Sequence, residues 1–353
     1  MPIKVAFIGV GDISGIYLKN ITEMYDNLEI AGVCDLIREK AERAVEKYPS
    51  IPKIYSDMYE AFADPEVDVI LNITRAYQHY DVTKAALLAG KNVYSEKPLA
   101  TTIEQGIELV ELAKEKGLLL GGAPDTFLGA GIQTCKKLID DGYIGRPLAA
   151  TAFMMGHGPE SWHPDPEFFY KPGAGPMMDM GPYYSTALIT LLGTVKSVFA
   201  TAKISMPERI ATCKQHYGMK INVETPTYVT GVLNFESGAT ATMVMSFETW
   251  HHSLPCIEIY GEKGTLTVPD PNTFGGPIKL FRPEDGEVRE IPLMFPYKEN
   301  SRALGLSKMA EAILAGEKDF VTSWKLTRHA LDVMTGMLRS GESGKMVEML
   351  PRE

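Results

Sequence analysis

Residues 3–14 read IKVAFIGVGDIS, a predominantly apolar run that leads directly into a glycine-rich turn. A run of this kind is typical of a parallel strand that is buried on both faces. Beyond the turn, apolar side chains recur at helical spacing at Ile13, Ile16, Tyr17, Ile21 and Met24. That spacing predicts an amphipathic helix. The order of strand, glycine turn and helix predicts the first βα unit of a parallel sheet.

The turn has the spacing of a dinucleotide-binding loop. Gly9 allows the tight turn, and Gly11 lets the backbone approach a pyrophosphate. We expect Asp12, Ile13 and Ser14, which lead into the helix, to contribute backbone N–H groups and the positive end of the helix dipole to that site. Ser14 stands where such loops often have a third small residue, glycine. The alternative is a glycine turn that binds no ligand.

Asp35 follows the next predicted strand, Leu28–Cys34. A carboxylate at this position accepts hydrogen bonds from the ribose hydroxyls of NAD, and its charge repels the 2′-phosphate of NADP. The sequence therefore favours NAD as cofactor. Arg38, three residues further on, keeps NADP open as an alternative.

The remainder of the first third of the chain alternates between helices and strands. The predicted helices are Arg38–Tyr48, Asp81–Ala89 and one that Thr101 and Glu104 begin as a capping box, and the predicted strands are Val67–Thr74, Asn92–Ser95 and Leu118–Ala123. Strands separated by helices of this length indicate βαβ units. We expect residues 1–123 to form a Rossmann domain that binds the dinucleotide.

The stretch 89–98, AGKNVYSEKP, carries the next candidate for chemistry. Its short strand ends before Pro98 and brings Glu96 and Lys97 to the carboxyl end, the edge of an open parallel sheet where ligands bind. The Lys97–Pro98 peptide bond can be cis. The alternative is a surface Glu–Lys pair before a turn.

Composition limits the class of protein. The chain has 353 residues, a formal net charge of −10 and a pI of about 5.3, which argues against nucleic acid or an anionic membrane as partner. Its four cysteines form no CxxC pair, and no His/Cys pair has zinc spacing, so we expect no metal. No apolar run approaches the roughly 18 residues of a membrane span. These observations favour a soluble, cytoplasmic protein.

The second part of the chain has a different pattern. Strands are predicted at Leu148–Met155 and Val195–Ile204, and Tyr228–Phe235 and Ala239–Phe247 form a long alternating hairpin. Further hairpins turn at residues 262–264 and 284–286, a helix is predicted at Phe127–Asp141, and helices near Ala303–Ala315 and Ser323–Arg339 follow. We expect residues 124–353 to form an α+β domain with a large, mainly antiparallel open sheet. The last helices can pack back on the first domain.

Residues 157–184 form a segment rich in glycine, proline and aromatic side chains. It contains Trp162, His163, Asp179 and Tyr183, and such a density of polar groups is costly to bury without a function. If a helix begins early enough, Asp179 and Tyr183, four residues apart, share one face. Alternatively, Asp179 lies near the cap of a helix that starts at Gly181, and Tyr183 packs in the core.

Several of these motifs occur in a familiar order. The run GVGDIS, Asp35, Thr74 followed by His79, EKP at 96–98, and Asp179 two residues before Gly181 resemble the glucose-fructose oxidoreductase, inositol dehydrogenase and MocA-like family along essentially the whole chain. The resemblance implies that Thr74, His79 and Glu96 belong to the cofactor site. It also implies that Lys97 contacts both nicotinamide and substrate.

The chain departs from the family pattern at two positions. The motif histidine, usually the acid/base, falls on Tyr183, and Arg75 stands where a proline usually follows the threonine. The resemblance implies Asp179 as a catalytic residue, and either Tyr183 or His163 takes the place of the histidine. Trp162, Phe168 and Phe169 can stack on the apolar face of a sugar, or they can simply pack within the loop.

The resemblance implies an NAD(P)-dependent oxidoreductase that acts on a secondary hydroxyl or ketone of a sugar, a glycoside or a cyclitol. The 3-hydroxyl of a glycoside is one candidate, and an inositol-type dehydrogenase or a keto-sugar reductase is another. An alternative of a different class is a catalytically silent regulator that binds NAD. The long hairpins leave a broad sheet face, which predicts a homo-oligomer formed through this sheet.

Overall fold

The computed structural model describes residues 1–351, which form two compact units. The first unit comprises residues 1–125 and 300–331, and the second comprises residues 126–299 and the chain from 332 onward. The helices are α1 (Ser14–Met24), α2 (Arg38–Lys47), α3 (Met58–Ala63), α4 (His79–Leu88), α5 (Ile103–Lys116), α6 (Ala130–Asp140), α7 (Gly175–Asp179), α8 (Gly181–Leu192), α9 (Leu304–Ala315) and α10 (Trp324–Ser343).

The strands of the first unit are β1 (Ile3–Ile8), β2 (Leu28–Cys34), β3 (Val69–Asn72), β4 (Asn92–Ser95) and β5 (Leu120–Gly122). They form a parallel sheet in the order β2-β1-β3-β4-β5. The predicted parallel sheet is therefore confirmed. Val5, Ala6 and Phe7 of β1 are wholly buried, because this central strand is covered on both faces and its apolar run has no wet side.

Two predicted helix starts, one in each unit, were wrong in detail. The N-cap of α5 is Thr102, whose hydroxyl accepts a hydrogen bond from the backbone N of Gln105 at 3.3 Å. Thr101 instead donates its hydroxyl to the Gln105 side chain at 3.0 Å. The helix expected from Phe127 begins at Ala130, after a 3₁₀ turn at Thr126–Leu128.

The strands of the second unit are β6 (Pro147–Met155), β7 (Val195–Lys203), β8 (Glu208–Ile210), β9 (Lys220–Asn222), β10 (Tyr228–Phe235), β11 (Thr240–Ser246), β12 (Ile257–Gly261), β13 (Thr265–Val268), β14 (Ile278–Phe281), β15 (Val288–Ile291) and β16 (Val347–Glu348). In the described chain they make a sheet in the order β15-β14-β13-β12-β6-β11-β10-β7-β16, and β8 pairs with β9. The three predicted hairpins are confirmed.

The large sheet is mixed rather than uniformly antiparallel. β6 runs parallel to β11, with Ala149 opposite Thr240 and Met155 opposite Ser246. The other neighbouring pairs of the described sheet are antiparallel. The prediction of a large, mainly antiparallel sheet in an α+β unit is therefore confirmed. Within residues 1–351, no helix combines the length and the apolar character that crossing a membrane requires.

Asp125, three residues beyond β5, is a buried acid in the first unit. Burial raises the pKa of its carboxyl to about 6, because the charged form loses its hydration. A hydrogen bond from the backbone N of Gly305 at 3.1 Å and the charge of Arg302 oppose this rise, whereas the Glu96 carboxylate adds to it. The folded unit therefore holds this proton more tightly than an unfolded chain does.

A carboxyl whose pKa is raised on folding contributes less stability as the pH rises from its unfolded pKa, about 3.9, to its folded pKa. We expect the free energy of unfolding of the wild type, relative to Asp125→Asn, to fall by about 2 kcal/mol between pH 4.5 and pH 7. Urea denaturation of both proteins at the two pH values measures this difference. An unchanged difference would show that Asp125 ionises equally easily in the folded and unfolded chain.

Candidate active site

Gly9 and Gly11 play different parts in the turn after β1. Gly9 has φ +98°, and a Cβ there would lie 2.5 Å from the carbonyl oxygen of Ile73. Only glycine allows this approach between the turn and the chain that follows β3. Within the described residues, a Cβ at Gly11 would meet no other atom within 4 Å. The backbone at Gly11 therefore faces space that a ligand can enter.

The start of α1 suits an anion. Ile13, whose side chain has no polar atom, occupies the N-cap position, and residues 14–17 include no acidic side chain. Ser14 is buried and donates its hydroxyl to the carbonyl oxygen of Gly11 at 2.6 Å. Ser14, which stands in place of the third glycine, thus stabilises the turn through this hydrogen bond. Asp12 is exposed beside it.

Asp35 lies half-buried at the end of β2. Its Oδ2 accepts a hydrogen bond from the backbone N of Val10 at 2.7 Å, and its Oδ1 accepts one from the backbone N of Ile37 at 2.8 Å. These bonds hold the carboxylate beside the glycine turn, and each oxygen keeps a lone pair for a ribose hydroxyl. Arg38 donates to Glu42 at 3.0 Å on the exposed side of α2. The residues of this turn and Asp35 therefore fit NAD.

Thr74 and His79 lie at the end of β3 and the start of α4. Thr74 donates its hydroxyl to the side-chain oxygen of Asn72 at 2.7 Å. His79 is buried, with Nδ1 2.7 Å from the carbonyl oxygen of Pro98 and Nε2 3.0 Å from that of Thr74. Burial lowers the pKa of His79, and the two carbonyl oxygens oppose this effect. His79 joins two loops of the sheet edge, and its contact with the cofactor stays a prediction.

Glu96 and Lys97 lie at the carboxyl end of β4, as the sequence predicts. Glu96 is buried, and its carboxylate accepts hydrogen bonds from the Tyr17 hydroxyl at 2.7 Å and from the backbone N of Lys97 at 2.9 Å. Lys97 itself is half-buried, and its peptide bond to Pro98 is cis. The structure thus gathers the predicted cofactor residues of the first unit at one edge of the parallel sheet.

In the second unit, His163 lies in an aromatic cluster. Its ring packs edge-on against Phe168 and Phe169, with ring centroids 5.3 Å and 4.9 Å apart, and against Trp162 at 5.5 Å. Its Nδ1 lies 3.0 Å from the backbone N of Asp165 and 2.8 Å from the carbonyl oxygen of the same residue. Trp162 is 68% exposed, so its ring offers an apolar surface to a ligand.

A buried ion pair holds the start of this segment. Arg209 pairs with Glu160, and the same guanidinium donates to the carbonyl oxygens of His157 and Phe247. Phe169 and Tyr170 belong to a core cluster with Ile221 of β9 and with Ala211, which follows β8, and burial raises the pKa of Tyr170. The segment is therefore anchored at both ends of its 3₁₀ turn, Glu167–Tyr170.

Asp179 and Tyr183 belong to different helices. α7 ends at Asp179 and α8 begins at Gly181, with Met180 between them. The condition for a shared helical face is therefore not met. Asp179 is half-buried, whereas Tyr183 is 7% exposed. Across residues 1–351, no group of three or more His, Cys, Asp or Glu is arranged to hold a metal ion.

Two polar pairs could not be predicted from the sequence. Tyr17 was assigned to the apolar face of α1, yet its hydroxyl bonds Glu96, 79 positions away. Glu160 and Arg209 were not singled out, because neither belongs to a motif and the arginine lies 49 positions further on. A lone buried tyrosine or arginine leaves no local signal in the sequence. Only the partner across the fold reveals its role.

Comparison with known sequences identifies the class. Residues 3–122 match the family profile described as "Oxidoreductase family, NAD-binding Rossmann fold", so this part of the chain is an NAD-binding Rossmann domain. Residues 132–267 match the profile of the "GFO/IDH/MocA C-terminal domain". The two profiles together cover well over half of the chain, which belongs to the GFO/IDH/MocA family. The predicted membership of this family and the predicted NAD cofactor are confirmed.

The chain is similar to two named inositol dehydrogenases. It is 33% identical over 147 residues to the inositol 2-dehydrogenase/D-chiro-inositol 3-dehydrogenase of Lactiplantibacillus plantarum, a match that covers 41% of this chain and 42% of the relative. It is 25% identical over 264 residues to the myo-inositol 2-dehydrogenase of Thermotoga maritima, 74% of each chain. The match to the first relative thus spans less than half of that enzyme's length.

A solved structure supports the fold. Levoglucosan dehydrogenase in complex with NADH and L-sorbose superimposes with a TM-score of 0.84 at 19% identity, covering 99% of this chain and 100% of that one. At this identity the likeness shows the fold alone. It agrees with a parallel sheet followed by a large mixed sheet.

Asp35 is expected to set the choice of cofactor. Asp35→Ala removes both the acceptor for the ribose hydroxyls and the charge that repels a 2′-phosphate. We expect the variant to bind NADH more weakly and to discriminate less against NADPH, as measured by fluorescence titration with both nucleotides. Glu46→Ala, on the exposed face of α2, serves as the control for general charge. A wild type that prefers NADPH would contradict this assignment.

Proposed function

We propose that the protein is an NAD-dependent dehydrogenase that transfers hydride between nicotinamide and a secondary hydroxyl or ketone of a sugar, a glycoside or a cyclitol. The observation that carries the proposal is the position of Lys97, a half-buried lysine at the carboxyl end of β4. That edge of the sheet also carries the glycine turn and Asp35. The inositol dehydrogenases among the relatives and the sugar ligand in the levoglucosan dehydrogenase structure support the substrate class.

The residues proposed to hold NAD are those of the sheet edge. They are Gly9, Gly11, Asp12, Ile13, Ser14, Asp35, Thr74, His79, Glu96 and Lys97. When bound, NAD accepts or returns the hydride. The turn at Gly9 and Gly11 binds the pyrophosphate through backbone N–H groups, and Asp35 binds the adenosine ribose.

The proposed chemistry of the chain itself is proton transfer and orientation. Lys97 hydrogen-bonds the reacting hydroxyl or accepts its proton, and Asp179 binds a neighbouring hydroxyl or orients the acid/base. Tyr183 or His163 supplies the remaining acid/base group. Trp162 stacks on the apolar face of the substrate, for which its exposed ring is suited. The 3-hydroxyl of a glycoside is the position that we propose for oxidation.

A silent NAD-binding regulator is not favoured, because the chain retains both Lys97 and Asp179. We propose residues 1–123 as the NAD-binding domain and residues 124–353 as the domain for substrate binding and oligomerisation. Residues 300–331 belong to the first compact unit, and α9 lies within that range. We also propose that the protein acts in the cytoplasm, which its four free thiols support.

The function is tested by reading the absorbance of reduced nicotinamide with a panel of inositols, monosaccharides and glycosides. With a substrate found, we expect Lys97→Met and Asp179→Asn each to lower kcat by about 10²- to 10⁴-fold, the usual contribution of a general acid or base. NADH binding should change far less. Lys19→Met, on the exposed side of α1, is the control. Full activity of Lys97→Met would overturn the proposed role of this lysine.

The same assay across pH separates the two candidates for the missing histidine. An imidazole base produces an activity limb near pH 6.5 in ordinary surroundings, whereas a phenol needs a cationic neighbour to ionise at neutral pH. If His163 is the base, His163→Ala removes that limb and most of kcat while Tyr183→Phe stays active. The opposite result assigns the role to Tyr183, and activity in both variants leaves Lys97 to act alone.

We propose, in addition, that the protein is a homo-oligomer that covers one face of the nine-stranded sheet. Phe199 of β7 and Val232 of β10 lie opposite one another and are 49% and 40% exposed. Light scattering at micromolar concentration should show an oligomer, and Phe199→Lys together with Val232→Lys should lower its mass. Leu314→Lys, on the exposed side of α9, is the control. A stable wild-type monomer would refute the proposal.

A further inference from the structure

We propose that Tyr17 is a positioning residue for Lys97, acting through the carboxylate of Glu96. The inference rests on the proposed role of Lys97 in proton transfer. It adds a residue that belongs to none of the motifs in the sequence. Tyr17 lies in α1, the helix that begins at the nucleotide turn, whereas Lys97 follows β4.

Two hydrogen bonds converge on the Glu96 carboxylate, one from the helix and one from the backbone of the lysine. The Tyr17 hydroxyl donates to Oε1 of Glu96 at 2.7 Å, and Oε2 of the same carboxylate accepts from the backbone N of Lys97 at 2.9 Å. The carboxylate therefore cannot rotate without loss of at least one of the two bonds. Tyr17 fixes the carboxylate, and the carboxylate fixes the backbone amide from which the Lys97 side chain extends.

Burial makes this arrangement dependent on the tyrosine. Tyr17 is 0% exposed and Glu96 is 7% exposed, so bulk water does not easily replace a lost donor. Burial, and next the charges of Glu96 and Asp125, raise the pKa of Tyr17 well above its ordinary value. The hydroxyl thus stays protonated and remains a donor at neutral pH.

A second buried acid, Asp125, makes the hydrogen bond from the Tyr17 hydroxyl to Glu96 more important. Glu96 raises the pKa of Asp125, which shows that the two carboxyl groups repel one another. Above about pH 6 Asp125 is charged, and the Tyr17 hydroxyl then offsets part of that repulsion at Glu96. On the other side of the lysine, the carbonyl oxygen of Pro98 lies 2.7 Å from Nδ1 of His79. The short chain around Lys97 is thus held on both sides.

Proton transfer is sensitive to such positioning, because a mutation far from the reacting atoms that misplaces them by about 1 Å can cost roughly 100-fold in rate. Tyr17→Phe removes the hydroxyl and keeps the ring. We expect it to lower kcat by roughly 10- to 100-fold while the dissociation constant of NADH changes less than about threefold. Tyr25→Phe is the matched control, since this buried tyrosine ends the same helix and donates to the carbonyl oxygen of Ser301. Its kcat should stay within about twofold of the wild type.

A double-mutant cycle tests the route through Glu96. Glu96→Gln weakens the acceptor for Tyr17, so Tyr17→Phe added to Glu96→Gln should cost little further activity. If the two losses multiply, Tyr17 acts independently of Glu96 and the inference is wrong. Equal kcat in Tyr17→Phe and wild type also overturns it, whether or not the variant is less stable.

A readout without turnover separates this inference from the proposed function. Hydrogen exchange of the Lys97 amide in the protein without substrate should become about tenfold faster in Tyr17→Phe and stay unchanged in Tyr25→Phe. Unchanged exchange in both variants contradicts the inference even if Lys97 proves essential. Faster exchange in Tyr17→Phe together with full activity of Lys97→Met supports the link to the backbone and refutes the proposed role of Lys97.

Discussion

The close approach of Gly9 to the carbonyl of Ile73 is the constraint on which the sheet edge of the first unit depends. Any side chain at Gly9 would lie 2.5 Å from that oxygen. The backbone N of Gly9 also donates to the carbonyl oxygen of Cys34 at 2.8 Å. The ends of β1, β2 and β3 are therefore held together by the backbone itself. Asp35 lies beside this turn, where its carboxylate accepts a hydrogen bond from the backbone N of Val10.

Buried polar groups then determine the conformation of the loops at this edge of the parallel sheet. Glu96, Asp125 and Tyr17 lie within the first unit with little access to water. Each has a hydrogen-bond partner from a different part of the chain. Such groups add little net stability, but an unsatisfied one is costly. They therefore favour one arrangement of the loops around Lys97 over alternatives of similar packing.

Much of the fold could be predicted from the sequence because its signals are local. The strand Leu28–Cys34 was predicted at its observed bounds, since its apolar run ends at Asp35. The hairpin around Gly238 was predicted because its two strands alternate and flank a glycine. The parallel pairing of β6 with β11 could not be predicted, because it joins residues about 90 positions apart with no motif in either.

The candidate site likewise has parts that could be predicted from the sequence and parts that could not. The glycine turn, Asp35 and Lys97 follow strands, so their place at one edge of the sheet could be predicted from the order of elements. The start of α8 at Gly181 was one of two alternatives that the sequence offered, because Pro182 suits the first turn of a helix. The short helix α7 that ends at Asp179 was not predicted, since its glycines and prolines gave no helical pattern. Tyr17 escaped notice since its partner is set by tertiary structure alone.

The division of the chain between the two units has a consequence for synthesis on the ribosome. The first unit needs residues 300–331, where the carbonyl oxygens of Asn300 and Arg302 accept hydrogen bonds from Asn20. The second needs β16, since Val347 pairs with Val198 at the sheet edge. The first unit can therefore be completed only after residue 331 has been synthesised, and the second only after β16. Until β16 leaves the exit tunnel, β7 is an open sheet edge that can pair with other chains, and in that interval the chain depends most on chaperones.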